Sequence, residues 1–389
     1  MMRSAVYNVT KTIKASSILE RSSKPSSEKT RIPIGKNWNK YHGSNNWDGL
    51  LDPLDDTLRS ELLRYGKFVQ ATYDSFDFNP TSDTFGKSRF PKHSVLSTLS
   101  GHPETGYKVT RDLHASSGIE LPEWAQLGGV SSWVSKRTSW IGYVAVCQDE
   151  EEVARLGTRD VVIAFRGTAT CLEWLENLRA TMTRLPGNLP SNTDHNSNAV
   201  MAERGFWSLL SSAGSKHKSL QDEIKEEVCR LMEVYGHVDG KTPLKITITG
   251  HSLGAAIAVL AAYHLKTTLK HNSPHVTVFS YGGPRVGNAR FRRHVEQLGI
   301  KVLRIVNTRD IVTKVPGFLV DGRPSCWISK IGLAYSDVGQ ELTVKCSSKN
   351  MAACHDLNVY LQLIGDRIES ILPPRTTSDQ TPYRWPSFF

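Results

Sequence analysis

Leu244-Lys245-Ile246-Thr247-Ile248-Thr249-Gly250-His251-Ser252-Leu253-Gly254-Ala255-Ala256 is the stretch on which the fold turns. It begins as a β-type apolar run, Leu244 to Thr249, passes through Gly-x-Ser-x-Gly, and continues as an apolar helical pattern from about Ala255 to Lys270. A serine between a strand and a helix must take a sharp, strained corner, so its neighbours must be small. Gly250 and Gly254 meet that need, which makes the segment a nucleophile elbow that presents the Ser252 hydroxyl above a sheet. Alone, Gly-x-Ser-x-Gly is an ordinary Gly-rich turn; the strand before it and the helix after it set this one apart.

Moving outward, Val276 to Phe279 and Val302 to Val306 are further strand candidates, and Tyr143 to Val146 and Val161 to Phe165 read as neighbouring strands earlier in the chain. Gly157 to Asp160 reads as a turn before the second of these. From Trp47 to Phe78 the apolar positions Leu58, Leu62, Tyr65, Val69 and Tyr73 recur at helical steps, as do Leu220, Ile224, Val228 and Leu231 in a helix over Leu209 to Tyr235 closed by Gly236. Strands alternating with helices predict a mainly parallel central sheet flanked by helices, the α/β-hydrolase fold. Leu185 to Val200 is rich in turn residues; with Met182 to Asn198 it predicts a lid-like surface loop.

A hydroxyl is a poor nucleophile at neutral pH, so Ser252 needs a base and an acid to orient that base. In this fold they follow the serine in the order Asp or Glu, then His. His355 is the single histidine after residue 310. His264, His271, His275 and His294 lie on surface-type stretches, and His251 adjoins the serine and cannot fold back onto it. Among Glu296, Asp310, Asp321, Asp337 and Glu341, only Asp310 closely follows a buried-strand run, Lys301 to Asn307, and catalytic groups sit at strand C-terminal ends. The expected triad is Ser252, Asp310 and His355. The oxyanion donors are expected from the N–H of Leu253 and from Thr168, in Phe165-Arg166-Gly167-Thr168.

Composition narrows the alternatives. The 389 residues are 39% hydrophobic and 22% charged with mean hydropathy −0.34, an ordinary globular profile. The longest apolar run, Leu253 to Tyr263, has 11 residues, too few for a span of about 20. No transmembrane anchor is encoded. Of the net charge of +10, residues 1 to 40 carry +7, which argues for an address or an anionic surface and against a nucleic-acid-binding face across the fold. Residues 1–37 are basic, Ser-rich and acid-poor without an apolar h-region, the bias of a transit segment, with a plain basic tail as the alternative. Chloroplast delivery is therefore expected, with the cytosol as its rival. Six cysteines show no Cys-x-x-Cys pair, no metal-ligand spacing stands out, and Gly86-Lys87-Ser88 lacks the first glycine of a phosphate loop. No metal or cofactor is expected.

Taken together, Phe165 to Thr168, Gly250 to Gly254, Gly282-Gly283-Pro284-Arg285-Val286-Gly287-Asn288, Asn307-x-x-Asp310-x-Val312-x-x-Val315-Pro316 and His355 resemble the class 3 lipase family. Within it, Trp47 to Leu54 and Trp140 to Val146 resemble the plant class I phospholipase A1 branch, the plastid acylhydrolases similar to the anther-dehiscence lipase. The resemblance spans about Trp38 to Ile371, which sets a lipase-type domain at 38–372 and a tail at 373–389. It implies hydrolysis of the sn-1 acyl ester of phosphatidylcholine, often of galactolipids and sometimes of triacylglycerol, at a lipid interface, and release of acids that can feed jasmonate synthesis. The rival from another class is a non-catalytic lipid-binding or signalling protein on a lipase fold, which would lack a triad member or the oxyanion loop; a further one is acyl transfer in place of hydrolysis.

Overall fold

The apolar runs become strands in the computed structural model, which describes residues 33–79, 81–97, 106–116, 138–168, 181–186, 199–214, 217–236, 242–270, 273–316, 335–348, 350 and 353–369. In chain order the strands are β1 (Tyr107–Ser116), β2 (Thr138–Cys147), β3 (Arg159–Phe165), β4 (Met182–Arg184), β5 (Met201–Glu203), β6 (Leu244–His251), β7 (His275–Tyr281), β8 (Gly287–Asn288), β9 (Lys301–Asn307), β10 (Tyr335–Ser336) and β11 (Gln340–Val344). The helices are α1 (Trp38–Tyr41), α2 (Asp56–Ser75), α3 (Glu150–Leu156), α4 (Arg204–Ser211), α5 (Leu220–Tyr235), α6 (Leu253–Leu269), α7 (Ala289–Gln297) and α8 (Leu357–Glu369). Seven strands form one sheet in the order β1-β2-β3-β6-β7-β9-β11. From β3 to β11 neighbours pair in parallel, while β1, β2 and β3 pair antiparallel. A smaller antiparallel sheet runs β10-β8-β5-β4.

Alternation along each strand divides the core between the two faces of the large sheet. Val161, Ile163, Ile246, Ile248, Val276 and Val278 join α4, α5 and α6 on one face; Val162, Ala164, Phe279, Tyr281, Leu303 and Ile305 join α2 and α8 on the other. Helix α6 is apolar on nearly every side and is buried throughout its first eleven residues. Helix α2 begins where Asp55 accepts the N–H groups of Thr57 and Leu58, both at 2.9 Å, a cap worth about 1 kcal/mol. The preceding Trp47 to Asp55 forms turns, so the helical period starts nine residues later than the spacing suggests.

Other differences have local causes. The helix expected over Leu209 to Tyr235 is two helices, because the chain leaves α4 at Ser212 and Ser219 caps a fresh start at α5. Gly236 closes α5 in right-handed geometry, with its N–H on the Met232 carbonyl at 2.8 Å. Gly157, at φ +70°, caps α3, a short helix that the apolar periodicity did not mark; Asp160 lies inside β3 and is buried. At the front, Ile34 is 4% exposed and its N–H donates to the Arg155 carbonyl at 2.9 Å, so the folded body reaches back to Pro33. Met182 to Arg184, expected in a loop, pairs with Met201 to Glu203, and Leu185 is buried. The rest of the expected lid, 187–198, lies outside the described residues, as do 1–32 of the leader, 373–389, His271 and Asp321. Among the described residues no helix is long and apolar enough to cross a membrane.

Candidate active site

Ser252 sits at the corner between β6 and α6 with φ +58° and ψ −126°, a conformation that costs a non-glycine residue on the order of 1–3 kcal/mol. The corner is possible because its flanks have no side chains. A Cβ on Gly250 would lie 2.4 Å from the Gly254 carbonyl, and one on Gly254 would lie 2.5 Å from the Arg166 oxygen. The same closeness presses the turn after β3 onto the elbow: a Cβ on Gly167 would stand 2.9 Å from Ser252 Cβ. Thr168 therefore begins directly beside the serine, and Leu253 opens α6, where the first N–H groups have no partner inside the helix and carry the positive end of its dipole. The Thr168 hydroxyl is buried and makes no hydrogen bond among the described residues.

Asp310 and His355 meet at the ends of other elements. Asp310 follows β9, and His355 ends a short 3-10 turn before α8. His355 Nδ1–H donates to Asp310 Oδ2 at 2.6 Å; with that nitrogen protonated in the neutral ring, Nε2 is the basic one. Asp310 is wholly buried, and its other contacts hold it still: Tyr360 O–H donates to Oδ2 at 2.7 Å and Val312 N–H to Oδ1 at 2.9 Å. Burial, and after it the Asp310 charge, raises the Tyr360 pKa well above the ordinary phenol value, so this hydroxyl stays a donor. Gly282, at φ +57°, leaves room for both groups; a Cβ there would come within 3.1 Å of Asp310 Oδ2 and of the Tyr360 hydroxyl.

Four residues to which the sequence reading gave no role at the site tie these pieces together. Asn307, buried at the end of β9, donates from Nδ2 to the Cys354 carbonyl at 2.8 Å and accepts the Cys346 N–H at 3.2 Å, clamping the approach to His355. His251 does fold onto the site, through its ring: Nε2 donates to the His355 carbonyl at 2.7 Å. Its Nδ1 lies 2.7 Å from the Tyr73 hydroxyl, which accepts the Gly167 N–H at 2.9 Å. Burial, and then the neighbouring His355, lowers the His251 pKa well below the ordinary value, so the ring is neutral and Tyr73 donates to Nδ1. The chain Gly167–Tyr73–His251–His355 thus couples the turn after β3 to the histidine. Arg166 braces the same turn, donating to the Trp140 and Gly167 carbonyls at 2.9 and 2.8 Å while stacking over Phe76 at 3.6 Å.

The remaining sequence candidates lie elsewhere. Asp337 pairs with Arg285 and Arg304, Glu341 with Arg304, and Glu296 with Arg292. His275 Nε2 donates to the His42 carbonyl at 3.0 Å, and His294 Nδ1 lies 3.2 Å from the Tyr263 hydroxyl, so neither is simply solvated.

A parallel sheet flanked by helices, with a strained serine between β6 and α6 and a His–Asp pair at following strand ends, defines an α/β hydrolase. Residues 162–320 match the family model described as lipase (class 3). Phospholipase A(1) DAD1, chloroplastic, of Arabidopsis thaliana is 49% identical, over 92% of this chain and 83% of that protein. Galactolipase DONGLE, chloroplastic, of the same plant is 37% identical over 86% and 70%. Among solved structures, the nonglycosylated LIP2 lipase of Yarrowia lipolytica aligns over 75% of this chain and 81% of its own, with 19% identity and a TM-score of 0.46. The chain belongs to the class 3 lipases, in the plant class I phospholipase A1 branch.

Proposed function

We propose that this chain hydrolyses acyl esters of membrane glycerolipids at a lipid interface, with Ser252 as nucleophile, His355 as general base and Asp310 as the acid that orients it. The observation that carries the reading is the 2.6 Å contact between His355 Nδ1 and a wholly buried Asp310, in a chain whose elbow serine is held at φ +58°. Ser252 Oγ attacks the ester carbonyl as His355 Nε2 takes its proton, and Asp310 stabilises the imidazolium without accepting the proton. The N–H of Leu253 and the N–H and hydroxyl of Thr168 bear the developing oxyanion. Collapse of that intermediate breaks the ester C–O bond, and the imidazolium protonates the leaving lysolipid alkoxide. Water, deprotonated by the same imidazole, then splits the acyl-enzyme into free fatty acid and serine.

Phosphatidylcholine and galactolipids are the substrates, since the relatives are named as phospholipases A1 and a galactolipase. Those relatives are also named chloroplastic, and the basic, Ser-rich start of this chain fits the same destination. Cleavage falls on the sn-1 ester. The test is a phosphatidylcholine carrying different sn-1 and sn-2 chains, with products identified by mass spectrometry at early times, before acyl migration. The sn-1 acid should predominate, and Ser252→Ala should lower the rate on the order of a millionfold with unchanged circular dichroism. Predominance of the sn-2 acid would end the positional reading; near wild-type turnover by Ser252→Ala would end the nucleophile assignment.

A further inference from the structure

Away from the catalytic cluster, the described residues bring together a second group of ligand-type side chains. His114 lies on β1, His217 just before α5, and Glu223 in the first turn of α5; one nitrogen or oxygen of each lies within 4.8 Å of the others. Positions 114, 217 and 223 share no local motif interval, so the sequence alone does not connect them.

The backbone supports the grouping. The ladder between β1 and β2 slips between Leu113 and His114, and the His114 N–H donates to Glu223 Oε2 at 3.1 Å. A bulge of this kind re-aims a side chain. The N–H anchors one carboxylate oxygen and leaves Oε1 facing His217, whose Nδ1 is 3.7 Å away. Anchoring one oxygen while the other faces the site is how outer-shell donors orient a metal-binding carboxylate.

The charges support it as well. Glu223 is 6% exposed, and its carboxylate lies against the His114 N–H and the His217 ring. A carboxylate this buried needs a positive partner, and a cation placed against Oε1 would supply one. The two imidazoles stack with centroids 4.5 Å apart and planes at 26°.

We propose that His114, His217 and Glu223 bind one divalent transition-metal ion of the zinc type through two imidazole nitrogens and one carboxylate oxygen. Such a donor set suits zinc and not magnesium or calcium, which take oxygen ligands. Ligand atoms on one tetrahedral zinc stand about 3.3 Å apart, so separations that now reach up to 4.8 Å must shrink by as much as about 1.5 Å. His217, whose side chain is 40% exposed, has room to make that movement. The bound ion would fasten the edge strand β1 to α5; no step of ester hydrolysis runs through it.

The test uses the full chain without a polyhistidine tag, stripped with a chelator and titrated with zinc by calorimetry near neutral pH. One zinc should bind per chain, and its affinity should fall by at least about tenfold in His217→Ala and in Glu223→Gln. Cobalt in place of zinc should give intense visible absorption bands in the wild type and lose them in both variants. Lowering the pH through the imidazole range should weaken binding, as protons compete for the nitrogens. Unchanged circular dichroism in His217→Ala, a half-exposed position, separates lost ligation from lost fold. Absence of saturable zinc binding, or equal affinity in the wild type and both variants, would overturn the site.

Discussion

Asp160 and Asp310 are both carboxylates with no exposed surface, and both accept a tyrosine hydroxyl, yet they stand at opposite ends of parallel strands. Asp160 lies at the start of β3, where Lys245 Nζ reaches it at 2.7 Å, Thr247 Oγ1 at 2.8 Å, and the Tyr65 and Tyr107 hydroxyls at 2.7 and 2.8 Å, with Arg64 at 3.7 Å. Burial alone would raise its pKa, but Lys245 and then Arg64 outweigh that and hold it well below the carboxylate range. Burial also pushes Lys245 down to about 8. Asp310 lies beyond the end of β9, and its cationic partner is His355, an imidazole whose charge comes and goes. A buried carboxylate matched to standing cations locks a fold. The same group matched to an imidazole, in a chain with a strained elbow serine, is the arrangement that acyl-ester hydrolysis requires.

Exchanging the two charges for amides tests that contrast most severely. Asp310→Asn should lower kcat on the order of ten-thousandfold, because the amide favours the wrong imidazole tautomer and cannot balance its charge, while the melting temperature moves little. Asp160→Asn should do the reverse, costing about 3–5 kcal/mol of stability by leaving Lys245 buried without its partner, with kcat per folded molecule preserved. Since the Asp160 pKa is lower folded than unfolded, its contribution is complete above about pH 4 and fades as pH falls below that. Acid melting of the wild type should therefore steepen there, and Asp160→Asn should lack that component. Equal losses of activity and stability in both variants would dissolve the distinction.

His251 offers a finer cut on the catalytic side. His251→Phe removes the bond to the His355 carbonyl and the acceptor for Tyr73; a displacement of the imidazole by about 1 Å is worth roughly 100-fold in kcat. His251→Gln keeps a donor and an acceptor in reach and should recover most of that loss. Because His251 is already neutral, the pH profile of kcat/KM should keep its acid limb in His251→Gln. Equal defects in the two variants would show that bulk, and not the hydrogen bonds, matters at this position.

The elbow and the order of strands and helices were legible because each leaves a local mark, a Gly-x-Ser-x-Gly corner or an apolar run; Asp310 and His355, singled out by a strand end and a lone histidine, lie 2.6 Å apart. What stayed hidden depends on partners distant in sequence. β1 carries Lys108, Arg111, Asp112 and His114 and was invisible as a strand, since an edge strand with one wet side needs few apolar residues. β11, Gln340 to Val344, was hidden likewise at the other edge. Asp160 looked like turn chemistry because nothing nearby announces Lys245, 85 positions away. Tyr73 and Tyr360 fell on the inward stripes of helices, where a tyrosine reads as core until its hydroxyl finds a partner. His251 was set aside as a base, and its bond to the His355 carbonyl stayed hidden because backbone-to-ring bonds across 104 positions have no sequence signature.

The smallest effect separates the two regions by a single oxygen atom. Tyr360 and Tyr107 each give a hydroxyl proton to a buried aspartate, at 2.7 and 2.8 Å. Removing either costs about 1 kcal/mol as a lost hydrogen bond. The consequences should then diverge. Asp160 keeps Lys245, Thr247 and Tyr65 when Tyr107 becomes Phe, so Tyr107→Phe should lower the melting temperature by about 1–2 °C and leave kcat untouched. Asp310 loses one of its three donors when Tyr360 becomes Phe, and the Asn307 N–H, 3.1 Å from that hydroxyl, loses its acceptor as well. Both changes act on the carboxylate that aims His355, so Tyr360→Phe should lower kcat roughly tenfold with KM unchanged, the mark of an interaction felt in the transition state. Melting curves and steady-state kinetics on the two purified variants decide it: a Tyr107→Phe chain that is slow but stable, or a Tyr360→Phe chain that is fast but labile, would reverse the roles assigned to the two ends of the sheet.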